Sequence, residues 1–110
     1  MLKYTQQANE DLSRILAGLV SFRIGNAIDP SLTEEHANRV FDDIASNIDK
    51  IDALTIHRVN TFVGLERYGQ YVYTYTRNRT NWYAFYDKCG EGEYVVNRIT
   101  NNWNVLLPRL

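Results

Sequence analysis

The side chains best suited to chemistry are concentrated in residues 57–110. This half holds seven basic and four acidic side chains, a net charge of +3, whereas residues 1–56 hold five basic and nine acidic ones, a net charge of −4. Six of the seven are arginines, and both tryptophans and most tyrosines also lie here. Arginine donates paired hydrogen bonds to phosphates and carboxylates, and aromatic rings stack on bases. The half could bind single-stranded RNA or an acidic peptide; alternatively, its arginines only solvate a sheet and pair with acidic helices.

The two histidines have no sequence neighbours at the spacing of a metal site. His36 falls among charged residues of a predicted helix, where a solvated side chain is the plain interpretation. His57 stands beside Arg58, where a predicted helix gives way to strand-like sequence. Because an imidazole titrates near neutral pH, His57 is a candidate to move a proton. The alternative is a boundary histidine without a special role.

Motifs of the common catalytic classes are absent from the sequence. There is no Gly-rich phosphate loop, HExxH, CxxC or nucleophile elbow, and no cofactor is expected. The single cysteine, Cys89, excludes an internal disulfide and a metal site made from cysteines alone. No apolar run approaches the roughly 20 residues that span a membrane. Since the start MLKYTQQANED also lacks signal-peptide character, we expect a cytosolic chain that makes no contact with a membrane.

A first amphipathic helix is predicted to position one layer of the core. From Ala8 to Leu19, apolar residues recur at steps of three and four, which places them on one helix face. Thr5 or Asn9 can cap the start of this helix, and Gly25 is a plausible stop.

A second amphipathic helix is predicted after the turn at Asp29-Pro30. Its acidic residues Asp42 and Asp43 are expected on a solvated face. The opposite, apolar face is formed by Ala37, Val40, Phe41, Ile44, Ile48 and Ile51.

Strands are predicted in the remainder of the chain. Residues 71–76, 82–86 and 93–99 are strand-like and are separated by polar, turn-like segments at 77–81 and 87–92. Residues 2–6 can form a short edge strand. Consecutive strands with short turns form an antiparallel meander. The sequence thus predicts a single α+β domain over residues 1–110, with two amphipathic helices packed on an antiparallel sheet.

Two features of this sheet have open interpretations. Tyr71, Tyr73 and Tyr75 share one strand face, which is either half-buried packing or a binding platform. The tail formed by residues 101–110, which includes Trp103 and Leu106, is too apolar for a free end. We expect the tail to dock on the core or on a partner.

Taken in order, these elements resemble the RelE/ParE superfamily of bacterial toxins, which includes plasmid-stabilisation proteins. Members typically begin with a strand and an "A..DL..I" helix, which here falls on Ala8, Asp11-Leu12 and Ile15. A second helix and a meander with a tyrosine-rich strand follow, as in Trp82-Tyr-Ala-Phe-Tyr86 and Val95 to Ile99. The resemblance covers nearly the whole chain.

The resemblance implies the toxin of a type II toxin–antitoxin module, neutralised by a cognate antitoxin protein. Some members cleave mRNA on the ribosome, and others inhibit DNA gyrase. Cleavage would assign phosphate contact to Arg77, Arg79 and Arg98, and transfer of the 2′-hydroxyl proton to Tyr86 or His57.

An alternative is a non-catalytic protein-interaction domain on the same scaffold. Tyr83 stands where many members carry an arginine, and Asn101 and Asn102 stand where a histidine or basic residue is common. The sequence pI near 6.1 is also lower than is usual for the family.

Overall fold

The computed structural model describes residues 2–24, 30–77 and 80–102. Its elements, in chain order, are strand β1 (Leu2–Tyr4), helices α1 (Gln6–Ile24) and α2 (Pro30–Ile48), two 3-10 turns (Ile51–Ala53 and Glu66–Tyr68), and strands β2 (Tyr71–Arg77), β3 (Thr80–Gly90) and β4 (Glu93–Asn101). The α+β class with two helices is therefore confirmed. Within the described ranges, no helix is both long enough and apolar enough to cross a membrane.

The four strands form one mixed sheet in the order β1-β4-β3-β2. Strands β2, β3 and β4 pair antiparallel, as the predicted meander requires. The short edge strand is also confirmed, but β1 pairs parallel to β4, from Leu2↔Tyr94 to Tyr4↔Val96. The antiparallel meander is thus confirmed, and the sheet as a whole is mixed because of β1. A pair of parallel strands needs a crossover connection. Here the connection consists of both helices, both 3-10 turns, β2 and β3.

Helix α1 begins where its predicted cap places it. The Ala8 backbone N–H donates to Thr5 Oγ1 at 3.1 Å, which satisfies one of the donors left free in the first helical turn. Ala8 is fully buried, and Leu12 and Ile15 pack beside it on the core. The predicted stop, Gly25, lies outside the described residues.

Helix α2 buries much of the predicted apolar stripe. Val40, Ile44 and Ile48 are all buried against the sheet. The helix ends at Ile48, so Ile51, which was predicted to continue it, lies instead in the following 3-10 turn and is still fully buried. Pro30 is the first residue of α2, a position that tolerates its missing N–H.

The hairpin joining β3 and β4 is tighter than the sequence indicates. Residues 87–92 are predicted as a loop, but β3 continues through Gly90 and pairs it with Glu93. Only Glu91 and Gly92 form the turn, and Gly92 supplies the positive φ of 67° that such a turn favours. Strand pairing therefore extends through residues whose composition is typical of turns.

The two faces of the sheet are covered differently. The helices cover the face that carries Trp82, Ala84 and Tyr86, and the half-buried tyrosines of β2 pack on this same face, which confirms the packing interpretation. The opposite, outer face is covered by the later part of residues 54–70, a segment named here the edge loop. Phe62, Leu65 and Tyr68 of the edge loop pack on the outer-face residues Val72, Tyr83 and Phe85.

Candidate functional site

The structure brings together two of the five predicted site residues, His57 and Tyr86. The His57 ring atom Nδ1 and the Tyr86 hydroxyl oxygen lie 2.7 Å apart, within hydrogen-bonding distance. Arg77 and Arg98 lie elsewhere, each bound to a different carboxylate. Arg79 lies outside the described residues, as does the apolar tail from Trp103 onward.

His57 is held in an aromatic cluster at the hairpin end of the sheet. Its ring stacks on Tyr94 of β4, with centroids 4.6 Å apart and an interplanar angle of 24°. Tyr71 of β2 lies 5.7 Å away, centroid to centroid. Because these tyrosines lie on the helix-side face, His57 brings the first part of the edge loop onto that face.

The environment of Tyr86 fixes what this pair can do. Burial raises the pKa of Tyr86 to about 12, with smaller contributions from Tyr94 and Tyr71. The phenol therefore stays protonated at neutral pH. Its side chain is fully buried, whereas His57 is only half-buried. Of the two, only His57 can meet a substrate, and Tyr86 can act only by orienting the imidazole.

Lys88 is the basic side chain that β3 places on the same face as Tyr86. It stands two residues further along the strand and opposite Tyr94. Its Nζ atom lies 3.2 Å from Glu91 Oε2, and this partner raises the pKa of Lys88. The ammonium next to the histidine cluster is therefore partly neutralised.

Arg77 is engaged by an acidic residue of α2. Its Nη1 atom lies 2.6 Å from Asp43 Oδ2, and the Tyr75 hydroxyl donates to the same oxygen. These two hydrogen bonds hold the pKa of Asp43 below its ordinary value, and the bond from Tyr75 contributes more than the bond from Arg77. The predicted solvated face is found only in part for Asp43: its side chain is 38% exposed, but its position between Val40 and Ile44 puts it at the margin of the buried stripe.

Arg98 is engaged by a nearly buried carboxylate of α1. Its Nε atom donates to Asp11 Oδ2 at 2.9 Å, and the Ile99 backbone N–H donates to the same oxygen at 2.9 Å. Asp11 is only 5% exposed. The Arg98 guanidinium also lies over the Tyr68 ring, with Cζ 5.0 Å from its centroid. Arg98 thus joins α1, β4 and the edge loop.

Asp11 completes the edge of the sheet where β1 ends. The Thr5 N–H donates to the Val96 carbonyl, and beyond this point β1 no longer pairs with β4. The Asp11 carboxylate accepts the next outward N–H, that of Ile99. Sequence reasoning missed this role, although a signal was present: Asp11 stands in the apolar stripe between Ala8 and Ile15, where a charge needs a buried partner.

The edge loop carries the second feature that sequence reasoning missed. Its side chains Ile56, Val59 and Val63 are 84%, 61% and 84% exposed. The same loop is fastened to the sheet, since the Val72 N–H donates to the Arg58 carbonyl at 2.9 Å. In the sequence these three residues follow steps of three and four, as on a helix face, but the segment forms neither a helix nor a strand, so their spacing gave no sign of their exposure.

Neither a metal centre nor a relative adds to this picture. Among the described residues, no group of three or more His, Cys, Asp or Glu side chains could hold a metal ion. Protein-family models, curated proteins and solved structures yield no match to this chain.

Proposed function

We propose that this chain is the toxin of a type II toxin–antitoxin module and that it inhibits growth by binding a protein target, such as DNA gyrase, rather than by cleaving mRNA. The observation that carries the choice of target is the pairing of Arg77 and Arg98 with carboxylates. A cognate antitoxin is the expected second partner.

The order of elements supports the toxin assignment. A strand, two helices and a three-strand meander follow one another in the order that the resemblance to RelE/ParE toxins implies. The "A..DL..I" residues Ala8, Leu12 and Ile15 form the core-facing stripe of α1, and Asp11 within that motif binds β4. The residues that carry the resemblance thus hold the two layers together.

The partners of the arginines disfavour RNA as the target. A guanidinium that contacts a phosphate must direct its N–H donors to the phosphate oxygens. Moving Arg98 to a phosphate would leave the Asp11 carboxylate buried without its cation, and an uncompensated buried charge is strongly destabilising. Arg77 is likewise held by Asp43. A chain with a net charge of −1 also lacks the excess of cations that binds a phosphate backbone.

The test is induced expression of this chain alone in a bacterial host. Growth and the incorporation of labelled amino acids are followed together, and coexpression of the neighbouring gene product serves as the antitoxin control. We expect growth to stop while translation is initially intact. A fall in translation that precedes growth arrest would contradict the proposal and point to mRNA cleavage. Absence of arrest from soluble, folded protein would favour the non-catalytic interaction domain.

One contact favours mRNA cleavage as the second candidate function. The hydrogen bond between His57 and Tyr86 orients an imidazole, a side chain that can accept and donate a proton. In that candidate, His57 accepts the 2′-hydroxyl proton and Tyr86 positions it. Substitution His57→Gln would then abolish growth arrest, whereas the protein-target proposal expects arrest to persist.

A further inference from the structure

We propose that the edge loop is the surface that binds the protein target, and that the segment it binds combines aliphatic side chains with carboxylates. The role assigned to the partner rests on the proposed function. The surface itself is defined by the apolar residues Ile56, Val59 and Val63 together with Arg58 and Arg67.

The apolar side chains of this surface have an unusually large exposed fraction. Single exposed aliphatic side chains are normal on a protein surface. Here Ile56, Val59 and Val63 lie within one stretch of eight residues and are between 61% and 84% exposed. Contiguous exposed apolar patches mark interaction sites, and we assign these three side chains to one such patch.

The loop presents these side chains from a fixed backbone. The Asn60 Nδ2 atom donates to the carbonyls of Leu65 and Gly69, both at 3.0 Å, and its Oδ1 atom accepts the Phe62 N–H at 3.1 Å. The Asn60 N–H donates to the Gln70 carbonyl at 2.8 Å, beside the bridge between Val59 and Tyr71. Because the backbone is already ordered, a partner would lose little free energy in ordering it.

The charge of the surface selects the partner. Arg58 and Arg67 are exposed, and no carboxylate among the described residues forms an ion pair with either one. They differ in this from Arg77 and Arg98. The Arg58 Nη1 atom reaches only the Thr74 hydroxyl, at 3.4 Å, and Arg67 lies against the Tyr68 ring. Guanidinium groups that form no ion pair with a described residue, in the same loop as exposed aliphatic side chains, match an acidic, apolar segment.

The first test uses a displayed library of random peptides selected on the purified full chain. The loop variant combines Ile56→Ser with Val63→Ser, and the matched control is Ala17→Ser at an exposed position of α1. We expect the enriched peptides to combine Asp or Glu with Leu, Ile or Val. They should bind the control as well as the original chain and bind the loop variant about tenfold more weakly. Enriched peptides that are basic, or that bind the loop variant equally well, would overturn the proposal, as would the absence of enrichment.

A second variant tests the charge separately. Arg58→Gln with Arg67→Gln should weaken binding of the enriched peptides and reduce its dependence on salt. Unchanged affinity would contradict the acidic partner. Circular dichroism and thermal unfolding verify that each variant folds, which is expected because the substituted side chains are exposed. A wild-type dimer that the loop variant dissociates in sedimentation would assign the surface to a second copy and overturn the proposal.

Growth assays distinguish failure of this inference from failure of the proposed function. If the original chain arrests growth, the loop variant should not, and persistent arrest would contradict the assignment of this surface. If the original chain does not arrest growth, the toxin proposal fails, and the peptide selection still decides whether the edge loop binds acidic, apolar segments.

Discussion

At the scale of single residues, Asp11 is a side chain on which contacts from α1 and β4 converge. Its carboxylate accepts hydrogen bonds from Gln7, Arg98 and the Ile99 backbone while only 5% exposed. These contacts join α1 to the part of β4 that β1 leaves uncovered. Asp11 is the acidic residue of the "A..DL..I" motif, and its contacts with β4 give that position a structural role.

Substitution Asp11→Ala should therefore lower the free energy of unfolding by about 3 kcal/mol, because it leaves the buried Ile99 N–H and Arg98 without their acceptor. Urea denaturation gives this value. The matched control is Glu35→Ala, which removes an exposed pair with Arg39 at 3.2 Å and should cost no more than about 0.5 kcal/mol. Equal effects of the two substitutions would show that Asp11 is not the anchor of α1.

Tyr86 should make stability depend on alkaline pH. Burial raises its pKa from 10.0 to about 12, so the folded state favours the neutral phenol. This contribution is fully present below about pH 10 and is lost as the pH rises through 12. Between these values we expect the free energy of unfolding of the original chain to fall by about 2 kcal/mol more than that of Tyr86→Phe.

Measuring this difference removes the contributions of the other buried tyrosines, since both chains retain them. Urea denaturation at a series of pH values supplies the data. If the free energies of unfolding of the two chains fell equally with rising pH, the raised pKa of Tyr86 would be contradicted. Tyr86→Phe also leaves His57 Nδ1 without the phenol, so retention of growth arrest by this variant would support a protein target over mRNA cleavage.

At the scale of elements, the edge loop depends on a close approach between its end and β3. A Cβ placed on Gly69 would lie 2.7 Å from the Tyr86 carbonyl oxygen, a backbone atom that cannot move away cheaply. The loop can therefore meet the sheet here only through a glycine.

Substitution Gly69→Ala should lower the free energy of unfolding by about 3 kcal/mol, since the added methyl group must displace backbone. Gly18→Ala is the matched control, because a Cβ at Gly18 meets nothing within 4 Å and alanine favours the helix. We expect that control to stabilise the chain by up to about 1 kcal/mol. An unchanged free energy of unfolding for Gly69→Ala, measured by urea denaturation, would contradict the close contact between the loop and β3.

At the scale of the whole molecule, the sheet is built around β3. This strand pairs with β2 on one side and with β4 on the other, and its residues 82–86 are all buried. β1 has only three residues and pairs on one side only. Local openings should accordingly reach β1 before they reach β3.

Hydrogen exchange should reveal this order. We expect the amides of Tyr83–Tyr86 to be among the slowest and to exchange only on global unfolding, whereas the amide of Tyr4 exchanges through local opening. Exchange followed by mass spectrometry or NMR would check the expectation. Protection of β1 equal to that of β3 would show that the two unfold as one unit.

The sequence predicted those elements whose signal is local. The apolar spacing of α1 and α2, the cap at Thr5 and the alternation of β2 depend on neighbours within a few residues, and the structure has all of them. The parallel pairing of β1 could not be predicted, because three residues carry no signal of their partner. The extension of β3 through Lys88 and Cys89 likewise depends on pairing with β4.

The candidate site was predicted only in part, for the same reason. The contact of His57 with Tyr86 spans 29 residues and that of Arg98 with Asp11 spans 87, so nothing local indicates either one. A sequence shows where the arginines are, but it does not show which carboxylates form ion pairs with them. The conformation of the edge loop was not predicted, because the hydrogen bonds that Asn60 makes within the loop, one of them to Gly69, follow no periodic pattern.

The pairing of β1 with β4 also has a consequence for biosynthesis. β1 and Asp11 are translated before their partners Tyr94–Val96, Arg98 and Ile99, which are among the last described residues to be made. Until β4 is made, the apolar side chains of β1 and α1 lack the β4 residues that cover them in the core, and exposed apolar surface of this kind favours aggregation. Assembly of the native sheet is thus delayed until nearly all of the described chain has been translated.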